Sequence, residues 1–218
     1  MTLRVAETFR SLQGEGPSAG TPAHFLRLQG CDVGCSWCDT KYSWEGGGGR
    51  ELSVAGAFAE LRALGDAPLL VVTGGEPLSH AGVERLLAAA VGQWPRVEVE
   101  TSGIAPPPLS HERLHYVWSP KLPSATPRWA ETWAHAERFV GDPRTTVKLV
   151  VGEHDHDDAL RLIQEHRLPR PRVMLMPEGL TDEGVRAGAA SLAPLCQREG
   201  LRLSPRLHVW LWGAKRGI

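Results

Sequence analysis

The feature that most limits the folds open to this chain is a regular alternation of short valine- and leucine-rich runs with segments whose apolar residues recur every three or four positions. Runs at 24–28, 69–73, 97–101, 115–118, 147–151 and 173–176 predict strands, and 3–9 predicts a further extended segment. Between them, 53–64, 82–91, 128–138, 155–165 and 182–199 carry the helical period. Ser53 and Ser79 stand where N-caps are expected, Gly65 where a helix stops, and Pro169 and Pro171 rule out helix beyond Arg167. Such alternation implies an α/β fold with mostly parallel strands covered by helices. Unusual residues follow the strands: Thr73-Gly74-Gly75-Glu76-Pro77, Ser102-Gly103, Ser119-Pro120-Lys121 and Met176-Pro177-Glu178-Gly179. Loops at the carboxyl ends of parallel strands build the site in barrel-like proteins, so these are expected to meet at one mouth. The repeats are too few for a full eight-stranded barrel. A partial, open barrel in a single domain, 1–218, is the expected architecture.

Lys and Arg total 24 against 25 Asp and Glu, which leaves no global field to recruit nucleic acid. The start lacks a basic region followed by an apolar run, and no segment reaches about 18 uninterrupted apolar residues, so a soluble, cytoplasmic chain with no membrane partner is expected. The glycine run 46–49 lacks the lysine and hydroxyl residue of a phosphate-gripping loop and reads as a connector. Cys196 falls in a helical apolar pattern and is expected to be buried. The acidic and histidine-rich stretch 154–158 opens a helix, where acids favour the N-terminus, and is not expected to bind metal. Trp129 and Trp133 are expected in the core or at a subunit contact, and Lys148 either points into the mouth or pairs with an acid.

Three of the four cysteines, Cys31, Cys35 and Cys38, lie within 31–38. This argues against a disulfide framework, because a packed trio leaves an odd thiol. Three thiolates on an iron-sulfur cubane leave one iron open to a small chelating molecule. A zinc site completed by His24 is the rival, although the spacing is unlike the usual paired cysteine knuckles.

The spacing Cys31-x3-Cys35-x2-Cys38, with Trp37 before the last cysteine, resembles the cluster motif of the radical S-adenosylmethionine (SAM) superfamily. The resemblance implies a [4Fe-4S] cluster whose open iron is chelated by SAM, and cleavage of SAM by one electron to a 5'-deoxyadenosyl radical. Gly74-Gly75-Glu76-Pro77 is similar to the family's GGEP element, which holds the methionine amine. The same likeness assigns SAM contacts to Trp37, Cys38, Asp39, Ser102, Ser119, Pro120 and Lys121, and to Met176, Pro177, Glu178 and Gly179 near the adenine.

Phe9-Arg-Ser-Leu-Gln-Gly-Glu-Gly16, Phe25-Leu-Arg-Leu28 and the terminal Leu203-Ser-Pro-Arg-Leu-His-Val-Trp-Leu-Trp-Gly213 narrow the likeness to the 7-carboxy-7-deazaguanine synthases of queuosine biosynthesis. What this implies is a ring contraction of 6-carboxy-5,6,7,8-tetrahydropterin with loss of ammonia, SAM being regenerated. It puts Leu12, Gln13, Gly14, Glu15, Arg27, Thr73 and His208 on the pterin, with the terminal carboxylate of Ile218 nearby, and Thr40 on a Mg2+ ion supported by Asp39. A planar guanidinium suits a bidentate carboxylate contact at Arg27. The family also implies a homodimer and an external one-electron donor such as flavodoxin or ferredoxin. A glycyl-radical-enzyme activating protein would share the cluster spacing without needing the pterin grip. A non-catalytic iron-sulfur or zinc protein would show no response of its cluster to SAM.

Overall fold

The apolar runs form the strands of one sheet in a computed structural model, which describes residues 2–44, 48–213 and 215–217. The strands are β1 (Thr2–Leu12), β2 (Pro22–Leu28), β3 (Arg50–Ser53), β4 (Leu69–Gly74), β5 (Arg96–Thr101), β6 (Leu114–Trp118), β7 (Thr146–Val151), β8 (Val173–Pro177) and β9 (Arg202–Leu203). Their order in space is β3-β1-β2-β4-β5-β6-β7-β8-β9. From β2 to β9 every pairing is parallel, while β1 runs antiparallel to both β2 and β3. The sheet is not closed: β3 and β9 are its two edges, in keeping with the expected open barrel.

Helices α1 (Val54–Ala63), α2 (Val83–Val91), α3 (Ala136–Gly141), α4 (His156–Glu165), α5 (Asp182–Glu199) and α6 (Leu207–Trp212) connect or follow the strands. Alternate strand residues point to opposite faces. Leu70 and Val72, Val97 and Val99, Leu149 and Val151 join Leu86, Leu162 and Leu195 of the helices in the main core. Trp118 stacks on Phe139 with ring centroids 5.1 Å apart, and buried Trp133 meets Trp118 edge to face at 5.3 Å. Cys196 belongs to this core as expected. The opposite, concave face carries a small cluster around Phe25, Leu69 and Val71. Beyond that cluster it carries polar side chains together with Val150 and Met176.

Several local expectations change. The Ser53 hydroxyl caps α1 by accepting from Gly56 N–H at 3.0 Å, but α2 starts at Val83 after Gly82 and not at Ser79. Ser79 instead ends a 3-10 turn, Pro77–Ser79, capped by the Glu76 carboxylate. The helix expected over 128–138 divides into a 3-10 turn, Trp129–Trp133, and α3. Thr132 explains the tight turn: its hydroxyl donates back to Trp129 C=O at 2.6 Å and accepts from Lys121 N–H at 2.9 Å. β3, largely exposed and polar, β9 and α6 were not expected from periodicity. Of the connector at 46–49, Gly46 and Gly47 lie outside the described residues.

His24 is a buried structural residue. Its Nδ1 accepts from Trp94 Nε1 at 3.0 Å and its Nε2 donates to Gly65 C=O at 2.7 Å, so neither nitrogen is left for zinc. Burial lowers its pKa, as it does those of His115 and His166. Each takes up a proton less readily folded than unfolded. Their contribution to stability is therefore complete above the unfolded value of about 6.5 and is lost as pH falls toward and through the lowered folded values. Urea midpoints should decrease from pH 7.5 to pH 5, and His24→Asn should start lower but lose less across that window. A midpoint that is flat or rising toward acid would contradict the assignment.

Candidate active site

The carboxyl ends of the strands open on a cavity of about 290 Å³. Its floor follows from strand alternation. Thr73 of β4, Glu100 of β5 and Lys148 of β7 face inward, opposite the valines and leucines that meet the helices. Across them lies the segment after β1, with Leu12, Gln13, Gly14 and Glu15, and on β2 stands Arg27.

The cysteine loop is fastened to the sheet by backbone contacts. Gly75 N–H donates to Leu28 C=O at 2.9 Å, and Glu76 N–H donates to Gly30 C=O at 2.8 Å. A Cβ on Gly75 would stand 2.0 Å from the Gly30 carbonyl oxygen, and Gly74 has a φ of +138°. Both positions therefore need glycine, here for approach of backbone to backbone. The Glu76 carboxylate is buried and accepts from Thr101 Oγ1 at 2.5 Å, Ser102 N at 2.7 Å, Ser102 Oγ at 2.5 Å and Leu78 N at 3.0 Å. It thereby ties the loop after β4 to the loop after β5. On the outer side, Thr126 Oγ1 donates to Val33 C=O at 2.6 Å and Ser36 N–H donates to Ala125 C=O at 2.9 Å.

All three loop cysteines line the cavity. Burial pushes the Cys31 and Cys35 thiols up, so their thiolates would be favoured by a cation bound beside them. The Cys38 sulfur accepts from Trp44 Nε1 at 3.2 Å and from Thr40 N–H at 3.4 Å. Donors aimed at sulfur suit a cluster thiolate, and three cysteines with Cys196 away in the core fit a cubane that keeps one open iron. Trp37 also lines the cavity, with Lys121 Nζ 5.3 Å from its ring centre and 3.2 Å from Ser119 Oγ. Ser102, Ser119, Lys121, Asp39, Thr40 and Met176 are lining residues too. Pro120, Pro177, Glu178 and Gly179 are not among them. Gly179 reaches the site indirectly, its carbonyl accepting from Arg206.

A network of charges joins the substrate-side residues. Lys148 Nζ lies 2.5 Å from Glu15 Oε2 and 3.6 Å from Glu100 Oε1. Glu100 also accepts from Gln13 Nε2 and Thr73 Oγ1, each at 3.1 Å. Arg206 Nε is 3.1 Å from Glu15 Oε1, and its NH2 is 2.5 Å from Asp39 Oδ2. Burial alone would raise the Glu15 carboxyl, but the Lys148 and Arg206 charges outweigh it and hold that carboxyl far below the usual range. Burial likewise opposes the charge on Lys148, which Glu100 and Glu15 more than restore. Arg27 donates through Nε to Glu7 at 2.7 Å, and its NH1 and NH2 have no hydrogen-bond partner among the described residues. Glu7 is in turn held by Tyr42 OH at 2.6 Å and Arg216 Nε at 3.0 Å. His208 packs on Gly14, where a Cβ would meet Nδ1 at 2.2 Å. Ile218 lies outside the described residues.

Sequence reasoning left Lys148 unassigned and did not single out Glu100, Arg206, Glu7 or Arg216. A signal for Glu100 exists in β5, where Arg96, Glu98 and Glu100 alternate with Val97 and Val99, a charged face on a strand otherwise placed to be buried.

An open parallel sheet with a three-cysteine loop and a glycine-glycine-glutamate loop at its mouth is the arrangement of radical SAM proteins, and the family model described as Radical SAM superfamily matches residues 26–187. A 7-carboxy-7-deazaguanine synthase from Pyrobaculum aerophilum is 39% identical over 99% of this chain and 97% of its own. One from Hyperthermus butylicus is 35% identical over 95% of this chain and 92% of its own. The crystal structure of QueE from Escherichia coli superimposes with a TM-score of 0.70 at 28% identity, covering 95% of each chain. The chain belongs to the radical SAM superfamily and, within it, to the family of 7-carboxy-7-deazaguanine synthases.

Because Gly75 lies in contact with the cysteine loop, Gly75→Ala must push that loop off the sheet. After anaerobic reconstitution it should retain much less iron than wild type and be about 1–3 kcal/mol less stable. Gly141→Ala, whose Cβ meets nothing within 4 Å, should keep wild-type iron content. Equal iron in both variants would show that the contact does not position the cysteines.

Proposed function

We propose that this chain is a 7-carboxy-7-deazaguanine synthase, a lyase that contracts 6-carboxy-5,6,7,8-tetrahydropterin to 7-carboxy-7-deazaguanine with release of ammonia. The observation that carries this reading is one cavity lined by a three-cysteine loop, by a carboxylate held ionised, Glu15, and by Arg27, whose two amino groups are unpaired among the described residues. When bound, the [4Fe-4S] cluster and SAM supply hydrogen-atom abstraction, with SAM regenerated at the end of each turnover. Cys31, Cys35 and Cys38 hold the cluster, while Trp44 and Thr40 donate to the Cys38 sulfur.

Glu15 can accept from the amino and ring N–H groups of a pterin, and the Gln13 amide beside it can donate and accept. NH1 and NH2 of Arg27 offer a fork to the substrate carboxylate, with Glu7 fixing the guanidinium from behind through Nε. Thr40 would offer a hydroxyl oxygen to a Mg2+ ion, a hard cation that favours oxygen ligands. The loops after β4, β5 and β6 would hold SAM, with Trp37, Lys121 and Met176 of β8 also lining the cavity. This reading also includes one domain acting in the cytoplasm as a homodimer, with flavodoxin or ferredoxin as electron donor.

Incubation of the reduced holoenzyme with SAM, Mg2+ and the carboxylated pterin should yield the deazaguanine over many turnovers per SAM. Stoichiometric SAM consumption without product, despite an intact cluster, would remove the synthase reading and favour a glycyl-radical activating protein. Arg27→Ala should weaken pterin binding by about 2 kcal/mol, roughly thirtyfold, with Arg27→Lys recovering part. Both variants should keep their cluster. Removal of divalent ions should lower turnover without iron loss, and undiminished turnover would count against Mg2+.

A further inference from the structure

The charge network brings together three ligating side chains whose mutual closeness the proposed reaction does not explain. Glu15, Asp39 and His208 offer ligand atoms that all lie within 4.8 Å of one another, the spacing of a divalent-cation site. They come from the substrate segment, the cysteine loop and α6. The position between the two acids is taken by a side chain of this chain: the Arg206 guanidinium bonds Glu15 at 3.1 Å and Asp39 at 2.5 Å and donates to Gly179 C=O. The Arg206 side chain is only 6% exposed.

Removing Arg206 has a definite electrostatic consequence. Glu15, Asp39 and Glu100 supply three negative charges, against Lys148 and Arg206 as the cations. Without Arg206, Lys148 still pairs with Glu15 and Glu100 but Asp39 keeps no ion-pair partner among the described residues, and His208 Nε2, 3.9 Å from Glu15 Oε1, completes a mixed oxygen and nitrogen ligand set. Such a set takes Mn2+, Fe2+ or Zn2+. Asp39 is the residue after Cys38, so a transition ion bound there would sit beside the loop that must be loaded with iron.

We propose that Arg206 is a positioning residue that occupies the place of a divalent cation, holding Glu15 and Asp39 in register while denying those ligands to a metal ion. A guanidinium can do this because its planar donors bind two carboxylates at fixed angles and its charge cannot be lost. Lys148 holds the other oxygen of Glu15, so the two cations together fix the carboxylate against rotation. The cation exclusion stands on the geometry alone. The benefit to Glu15 as a substrate acceptor rests on the synthase reading.

The test uses cluster-loaded, full-length protein with the cluster oxidised, where it gives no electron paramagnetic resonance signal, and without SAM or pterin. Free Mn2+ is followed by its own resonance during titration. Arg206→Ala should bind one further Mn2+ per chain, roughly tenfold or more tighter than wild type does. Arg206→Lys should not gain it, and Arg206→Ala combined with Asp39→Asn should lose it. Arg206→Gln, which keeps hydrogen-bonding capacity but no charge, serves the same comparison if the alanine variant does not fold. Equal Mn2+ binding by wild type and the neutral variants would overturn the proposal, as would a gain that survives Asp39→Asn. In turnover, Arg206→Ala should raise KM for the pterin more than it lowers kcat, with partial rescue by lysine, and unchanged parameters would overturn the positioning role. Should wild type itself make no deazaguanine, the synthase reading fails while the Mn2+ comparison still decides the role of Arg206.

Discussion

The buried carboxylate of Glu76 joins three loops that the chain supplies from distant places. Its oxygens accept from Leu78 in its own loop and from Thr101 and Ser102 after β5, while the N–H groups of Gly75 and of Glu76 itself donate to Leu28 and Gly30 before the cysteines. Hydrogen bonds to a charged group contribute about 1.5–3 kcal/mol each, and leaving such donors buried and unpaired costs a comparable amount. The arrangement is therefore stable only with all its partners present. Because Gly74 and Gly75 lack side chains, the loop rests directly on the backbone that carries Cys31. Position of the cysteine loop relative to the sheet thus follows from backbone contact, whose tolerance is a fraction of an ångström.

A second constraint acts across the mouth. Strands buried on both faces normally carry apolar residues throughout, yet β5 and β7 turn Glu100 and Lys148 inward. Burying single charges there would be prohibitive, and the structure offsets that cost by pairing Lys148 with two acids and Glu15 with two cations. The outcome is a carboxylate that stays ionised although its side chain is mostly buried. A substrate that donates hydrogen bonds to Glu15 meets an acceptor already fixed in direction, so little reorganisation accompanies binding.

The carboxy-terminal segment closes this network from above. Leu207 N–H donates to Gly14 C=O at 2.8 Å and His208 packs where any side chain at position 14 would collide. Arg206, at the start of α6, then reaches Glu15 and Asp39, while Arg216 lies 3.9 Å from the Tyr42 ring and bonds Glu7 behind Arg27. Residues from 7–15 and 206–217 consequently meet at the cavity, so the substrate side depends on segments far apart along the chain.

Much of this could be read in the sequence. Spacing of the three cysteines, the glycine-glycine-glutamate element and the strand periodicity are local signals, because ligand geometry, backbone approach and side-chain alternation each act over a few residues. They sufficed for an open parallel sheet and for the loops at its mouth. Ser79 and the segment 128–138 went differently because a tertiary partner prevailed over local preference: the Glu76 carboxylate caps the turn before Ser79, and Lys121 N–H draws Thr132 into a tighter coil. The structure alone decided that His24 is saturated by Trp94 and Gly65, that Lys148 belongs to Glu15 and Glu100, and that Arg206 joins positions 15, 39 and 179. No periodicity encodes these pairings, since an ion pair depends on distance and shared burial in space, and Arg206 and Glu15 are 191 residues apart along the chain.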